Sequence, residues 1–113
     1  MPLKLVSDIR QKINEGIITS WETDPDGDFT QKSEKWKYRA WFHPYIEEQR
    51  VVFAIWGRKQ YDLTIEEYAA YHGKFVRMVL THFDKQVDSM EITPLATNYD
   101  SIRAEKDQSN KTE

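Results

Sequence analysis

The stretch TDPDGDF, residues 23–29, concentrates the carboxylates that could bind a metal ion, because Asp24, Asp26 and Asp28 alternate beside a glycine. Calcium loops use oxygens at such spacing, but they also need a bidentate glutamate at their twelfth position and a helix on each side. In the frame that places the glycine correctly, the twelfth position is Ser33, and the preceding residues favour a strand. The sequence therefore predicts a hairpin turn, with a weak cation site at the three aspartates as the alternative.

The hairpin interpretation has an electrostatic consequence. It places Asp24 opposite Asp28 and gives Gly27 the left-handed position of the turn. Like charges directly opposite each other destabilise a strand pair. We expect exposure to solvent to relieve this repulsion, although a bound cation or a nearby lysine would have the same effect.

His72 is the side chain best suited to acid-base chemistry, in the stretch YAAYHGKF at residues 68–75. Tyr68 lies one helical turn earlier on the same face, and with Tyr38 these residues would form a small-ligand or catalytic pocket. Gly73 needs a reason such as close packing or a ligand, because glycine inside a helix costs about 1 kcal/mol relative to alanine. The alternative is a core histidine that donates to a backbone carbonyl or a tyrosine oxygen.

Cations and aromatic residues alternate in KWKYRAWFH, residues 35–43. On a strand, every second residue shares a face, and the predicted interaction face consists of Lys37, Arg39, Trp41, Trp56 and Arg58. Aromatic and arginine side chains are favoured in protein interfaces, and they also stack on the bases of single-stranded nucleic acid. A third interpretation is an ordinary outer sheet face that carries solvated cations.

The composition limits the available functions. The 113 residues suit one domain, and the absence of cysteine excludes disulfides, thiol catalysis and thiolate metal sites. A net charge of −3 gives no general attraction to nucleic acid or an anionic membrane. No apolar run approaches the roughly 20 residues that cross a bilayer, and no phosphate loop, nucleophile elbow or HExxH motif is present. We expect a cytoplasmic protein without a cofactor, and more readily a non-enzyme than an enzyme.

Two amphipathic helices are predicted. Leu5, Ile9 and Ile13 indicate a short helix at about residues 3–15. Thr64 and Glu67 form a capping box that begins a long helix at about residues 64–87. The predicted apolar stripe of the long helix consists of Ile65, Tyr68, Ala69, His72, Phe75, Val76, Val79, Leu80 and Phe83.

Strands are predicted at residues 17–23 and 36–43, the latter ending at Pro44, and at residues 51–56, which read as a central strand buried on both faces. Residues 90–93 could add a last strand. The expected fold is an α+β two-layer sandwich in which both helices pack on an antiparallel sheet of three to five strands. Residues 1–100 form the domain, and residues 101–113 are expected to be a disordered polar tail.

The functional prediction that follows is a small binding domain without catalysis. Its expected ligand is a protein partner, including a second copy of the chain, held by the aromatic-basic sheet face. The alternatives are a small-ligand-binding protein or enzyme with a pocket at His72 and Tyr68, and single-stranded nucleic acid binding on residues 35–43.

Overall fold

The structure, a computed structural model, describes residues 2–94 and 96–104. Within them, two helices and four strands follow one another as α1 (Pro2–Asn14), β1 (Trp21–Thr23), β2 (Phe29–Gln31), β3 (Ala40–Ile46), β4 (Val51–Gly57) and α2 (Ile65–Phe83). The strands form an antiparallel sheet in the order β1-β2-β3-β4, and every pair is antiparallel. The predicted α+β fold, with two helices and an antiparallel sheet of three to five strands, is confirmed.

Aromatic side chains form the core between α2 and one face of the sheet. Trp21 and Phe42 from the strands meet Tyr71 and Phe75 from α2, and all four are buried. The Phe42 and Phe75 ring centroids lie 4.7 Å apart, and Trp21 meets Phe75 edge-on at 5.3 Å. Such pairs add about 0.5–1.5 kcal/mol each beyond the area they bury. This face of the sheet is therefore fixed against the helix.

Helix α1 packs on the same core and ends at a glycine. Leu5 and Ile9 of the predicted stripe are buried, as is Val6 beside them, and Ile13 is partly buried against the core. Gly16 has a φ of 76°, and the two following amides donate to the Lys12 carbonyl, which satisfies the end of the helix. Residues 17 and 18 donate to the helix end, and residues 19 and 20 connect it to the sheet. Strand β1 therefore covers only the last three residues of the strand predicted at residues 17–23.

The strand predicted at residues 36–43 was wrong in its first part. Trp36 and Lys37 donate their amides to the Ser33 carbonyl, and Tyr38 takes a left-handed φ of 58°, so residues 34–38 form turns. Strand β3 begins at Ala40. It continues past Pro44, whose nitrogen carries no hydrogen. Since β2 pairs with β3 only at Phe42, no strand on the β2 side requires a hydrogen bond from Pro44.

Strand β4 lies at the end of the sheet order, not at its centre as predicted. Its outer side is partly covered by the chain after α2. Gly57 donates its amide to the Ser101 carbonyl and Ser101 donates to the Ile55 carbonyl, in a parallel bridge. Residues 90–93 contain no strand, and Ser101 contacts β4 in their place. The apolar run of β4, which the sequence analysis attributed to a central position, instead belongs to an edge strand whose Ala54 and Ile55 are buried.

Helix α2 begins at the predicted capping box, in which Thr64 and Glu67 satisfy each other's backbone amides. It ends at Phe83, four residues before the predicted end. Its buried face is rotated from the predicted stripe, because Tyr71 and Met78 are buried while Ile65 is 84% exposed. No helix among the described residues has the length and apolarity to span a membrane. Residues 105–113 of the predicted tail lie outside the described residues.

Candidate functional site

A groove of about 710 Å³ lies between α2, the edge strand β4 and the irregular chain of residues 86–94 and 96–100. Its apolar lining comes mostly from the sheet and the helix and includes Phe42, Val51, Phe53, Phe75, Val76 and Val79. Polar side chains at its margin come mainly from the irregular chain and include Asp88, Glu91, Thr97 and Asp100. The groove therefore combines an apolar surface with polar groups of both charges, since Arg50 of the β3–β4 turn also lines it.

His72 lines this groove from α2. Its Nδ1 lies 2.7 Å from the Tyr68 carbonyl oxygen, which can only accept, so Nδ1 carries a proton. The ring stacks on Tyr68 at 4.1 Å and meets the edge of Phe42 at 5.3 Å. These contacts fix the orientation of the imidazole, and its Nε2 makes no hydrogen bond with the described residues.

Burial lowers the pKa of His72 below its ordinary value of 6.5. The hydrogen bond to the Tyr68 carbonyl and the charge of Asp100 oppose this shift without cancelling it. His72 is therefore neutral at pH 7, and because Nδ1 holds the proton, Nε2 presents a lone pair. In chemical terms, His72 offers the groove a hydrogen-bond acceptor of fixed orientation beside Phe42.

Two hydrogen-bonded anchors hold the irregular wall of the groove. The Tyr68 hydroxyl donates to the Thr93 carbonyl at 2.7 Å. The Asp100 carboxylate accepts from the Ile55 amide at 2.9 Å and from the Thr97 amide at 2.7 Å. The wall is thus tied both to α2 and to β4, which gives the groove a defined shape.

Tyr38, the third residue of the predicted pocket, lies elsewhere. Its side chain is half exposed, and its hydroxyl donates to Glu22 Oε1 at 2.9 Å. That hydrogen bond raises the pKa of Tyr38 above its ordinary value of 10.0. The structure thus brings Tyr68 and His72 together and does not bring Tyr38 to them, because residues 34–38 form turns and not a strand.

The predicted interaction face separates into three parts. Trp41 and Trp56 are directly opposite each other in the β3–β4 register, on the sheet face that neither helix covers. Lys37 belongs to the turn before β3 and lies 3.5 Å from Glu34. The remaining two residues of that face, Arg39 and Arg58, bind a buried carboxylate of α2.

That carboxylate is Glu67, whose side chain is 2% exposed. Its Oε1 accepts the Thr64 amide of the capping box, while Oε2 accepts from Arg39 at 3.1 Å and from Arg58 at 3.2 Å. Burial acts to raise its pKa, but the Thr64 and arginine hydrogen bonds outweigh burial and hold the pKa below 4.5. The two arginines therefore hold the start of α2 on the sheet and are only partly available to a partner.

The acidic loop is a hairpin turn, as predicted. Asp24 donates its amide to the Asp28 carbonyl, and Gly27 has a φ of 88°. The Asp24 carboxylate accepts the amides of Asp26 and Asp28, both at 2.9 Å. Among residues 2–94 and 96–104, no group of three or more acidic or histidine side chains could hold a metal ion.

The expectation that solvent relieves the Asp24–Asp28 repulsion was wrong for Asp28, which is 5% exposed. Its Oδ1 lies 2.7 Å from Nδ1 of His43. Burial raises the pKa of Asp28 above 3.8, His43 opposes the shift, and the charges of Asp24 and Asp26 add to it. The carboxylate is therefore stabilised by the protein's own imidazole.

His43 was not singled out in the sequence as a partner for the loop. Its ring stacks on Trp56 at 4.4 Å with an interplanar angle of 6°, and the edge of Tyr45 approaches at 4.9 Å. The pairing of Phe29 with Phe42 brings the residue before Phe29 opposite the residue after Phe42. This pair could have been predicted only from the β2–β3 register, which the sequence alone does not give.

Comparison with known proteins adds no assignment. No protein-family model, no curated protein and no solved structure matches this chain.

Proposed function

We propose that the protein binds a small, largely apolar molecule that carries one hydrogen-bond donor, in the groove beside His72. The observation that carries the proposal is a neutral, oriented imidazole beside the apolar side chains of a groove of about 710 Å³. This proposal takes up the small-ligand alternative of the sequence analysis, without Tyr38.

The size and lining of the groove suit a small molecule. Ligand sites in proteins are clefts of about 300–1,000 Å³, mainly apolar, with a few polar groups that fix the ligand's orientation. Phe53, Val76 and Val79 supply apolar contact area here. A ligand with an aromatic or aliphatic body would remove this surface from water, at about 25 cal/mol per Å² of apolar area.

His72 favours one kind of polar group on the ligand. The Nδ1 proton is committed to the Tyr68 carbonyl, so a neutral ring can only accept through Nε2. A hydroxyl or an N–H group on the ligand would satisfy that lone pair, whereas a carboxylate would meet no donor from the neutral ring. A net hydrogen bond contributes about 0.5–1.5 kcal/mol, which corresponds to a two- to ten-fold preference.

A matched pair of probes tests this preference. Benzyl alcohol and toluene share an aromatic ring and differ in one hydroxyl group, and their binding can be followed by NMR at the His72 ring and the Val76 methyl groups. We expect saturable shifts with both probes and a two- to ten-fold tighter binding of benzyl alcohol. In His72→Phe, which keeps an aromatic ring, this preference should disappear. Absence of saturable shifts with either probe would contradict the proposal.

Two tryptophan variants on one helix locate the binding site. Val76 lines the groove, so Val76→Trp should fill it and abolish binding. Leu80 is 56% exposed and lies one turn later outside the groove, so Leu80→Trp should leave binding unchanged. Equal effects of both variants would show that the probes bind elsewhere.

Self-association through the open sheet face is a second candidate, favoured by the direct pairing of Trp41 with Trp56 there. Both rings are half-buried, so a second copy would cover only their remaining apolar surface. Tyr99 lies beside it, because the Trp56 Nε1 donates to the Tyr99 carbonyl at 3.1 Å. Sedimentation at high micromolar concentration tests the candidate: a dimer that Trp41→Ser dissociates supports it, and a monomer contradicts it.

A further inference from the structure

A second groove, of about 370 Å³, lies on the β1 side of the core. Its walls are the connection between α1 and β1 at residues 17–20, the end of β2 with the residues that follow it, and the C-terminal half of α2. It shares no lining residue with the groove beside His72. Any ligand of this groove is therefore independent of the proposed function.

The lining of this groove is basic. It includes Lys74, Arg77 and His82 of α2, and it includes no aspartate or glutamate. Lys74 and Arg77 are three residues apart and so lie on one face of the helix. Neither takes part in a salt bridge with the described residues. The chain as a whole carries a net charge of −3, so this groove differs in sign of charge from the protein overall.

Stabilisation of the helix end does not explain these cations. Basic residues favour the last turn of a helix because they complement its dipole, and the effect falls off within that turn. His82 occupies the last turn of α2, which ends at Phe83. Lys74 and Arg77 lie nine and six residues before that end, outside the range of the effect.

Neutral hydrogen-bond donors line the same groove as the cations. Gln31 lines the groove although it is only 1% exposed. Its Oε1 accepts the Ser33 hydroxyl at 2.7 Å, and its Nε2 makes no hydrogen bond with residues 2–94 and 96–104. The exposed hydroxyl of Ser20 also lines the groove. A buried amide with a remaining donor in the same groove as two cations is an arrangement that suits an anion with several oxygens.

We propose that this groove binds the phosphate group of a small phosphorylated molecule. Arg77 can present two parallel N–H groups to phosphate oxygens, and Lys74 adds a compact charge. Gln31 and Ser20 supply the neutral donors for the remaining oxygens. A volume of about 370 Å³ suits a single phosphate with a small organic group and not an extended polymer.

An NMR titration at low ionic strength tests the proposal with inorganic phosphate and with glycerol 3-phosphate. We expect saturable shifts at the Ser20 and Ser33 amides and at the Gln31 side-chain amide with both probes. Tighter binding of glycerol 3-phosphate would assign the site to a phosphomonoester, and equal binding would assign it to phosphate alone. Both results support the phosphate site.

Charge-matched variants separate a site from general attraction. Lys74→Gln with Arg77→Gln removes the two cations of the groove, and we expect at least about a ten-fold loss of affinity. Lys59→Gln with Lys85→Gln removes two exposed cations elsewhere, and affinity should stay within about two-fold. Far-ultraviolet circular dichroism verifies that each variant is folded.

Three results would overturn the proposal. They are shifts that do not saturate, equal loss of affinity in both double variants, and binding of a single-stranded oligonucleotide without binding of either phosphate probe. The last result would assign the basic groove to nucleic acid.

Discussion

The carboxylate of Asp28 and the imidazole of His43 lie 2.7 Å apart, and they join the acidic hairpin loop to the helix-free face of the sheet. Three aspartates crowd this loop, yet the one that is buried is the one with a histidine partner. The loop that resembles a metal site in the sequence is thus stabilised by contacts within the protein. Asp24 binds backbone amides, and Asp28 binds His43.

The pH dependence of stability should change when Asp28 can no longer ionise. Burial raises its pKa above 3.8, so the neutral carboxyl favours folding. Its contribution is complete below pH 3.8 and is lost as the pH rises through the raised pKa. The free energy of unfolding of Asp28→Asn, relative to that of the wild type, should therefore increase as the pH rises from 4 to 7. Urea unfolding at both pH values measures this difference, and it should be absent in the exposed Asp26→Asn control.

His43→Phe should destabilise the fold by about 1–3 kcal/mol, because it leaves the Asp28 carboxylate buried without its hydrogen-bond partner. Phenylalanine keeps an aromatic ring against Trp56, so the loss reports mainly the lost hydrogen bond. The same substitution in an Asp28→Asn background should cost less, because no buried charge remains there. Equal costs in the two backgrounds, by urea unfolding, would show that the two residues are not coupled.

The sequence predicts the fold well where a pattern is local. The capping box at Thr64 and Glu67, the stripe of α1 and the turn at Gly27 each follow from spacing within a few residues, and the structure contains all three. The alternation at residues 35–43 was misleading, because an alternating pattern does not state where a strand begins. The left-handed Tyr38 and the amide bonds to Ser33 end the alternation before Ala40.

The candidate site depends on contacts between distant residues, which spacing alone does not give. His72 could be identified from its position on α2, but the groove wall opposite it comes from residues 86–94 and 96–100. Likewise, the capping box predicts that Glu67 binds the Thr64 amide, and nothing local indicates that its second oxygen binds Arg39 and Arg58. Both features require the packing of α2 against the sheet.

Glu67→Gln should destabilise the protein by about 1.5–3 kcal/mol at pH 7, because Arg39 and Arg58 lose their charged acceptor. The pKa of Glu67 is held below 4.5, so its stabilising contribution is present above pH 4.5 and is lost as the pH falls through the lowered value. The variant should therefore approach wild-type stability in acid. Urea unfolding between pH 2.5 and pH 7 measures this convergence.

Glu66→Gln is the matched control, since Glu66 is the exposed neighbour in the same first turn of α2. Both substitutions remove one negative charge near the start of the helix, which is worth about 0.3–1 kcal/mol. Only the Glu67 variant also removes the bonds to the arginines. Equal losses in the two variants would mean that the buried ion pairs contribute nothing beyond the helix dipole.

Gly73→Ala should stabilise the protein by about 0.5–1 kcal/mol, because alanine is the better helix former and a Cβ at this position would meet no atom within 4 Å. The sequence suggested that this glycine serves close packing or a ligand, and the structure shows no packing reason. Thermal and urea unfolding measure the gain. Gly27→Ala provides the contrast, and we expect it to lose stability. Gly27 has a φ of 88°, and a Cβ added there would lie 2.8 Å from Arg10 Nη2. If Gly73→Ala instead destabilises the fold, α2 packs more closely there than the structure shows. If it stabilises the fold but weakens probe binding beside His72, the missing side chain serves the ligand.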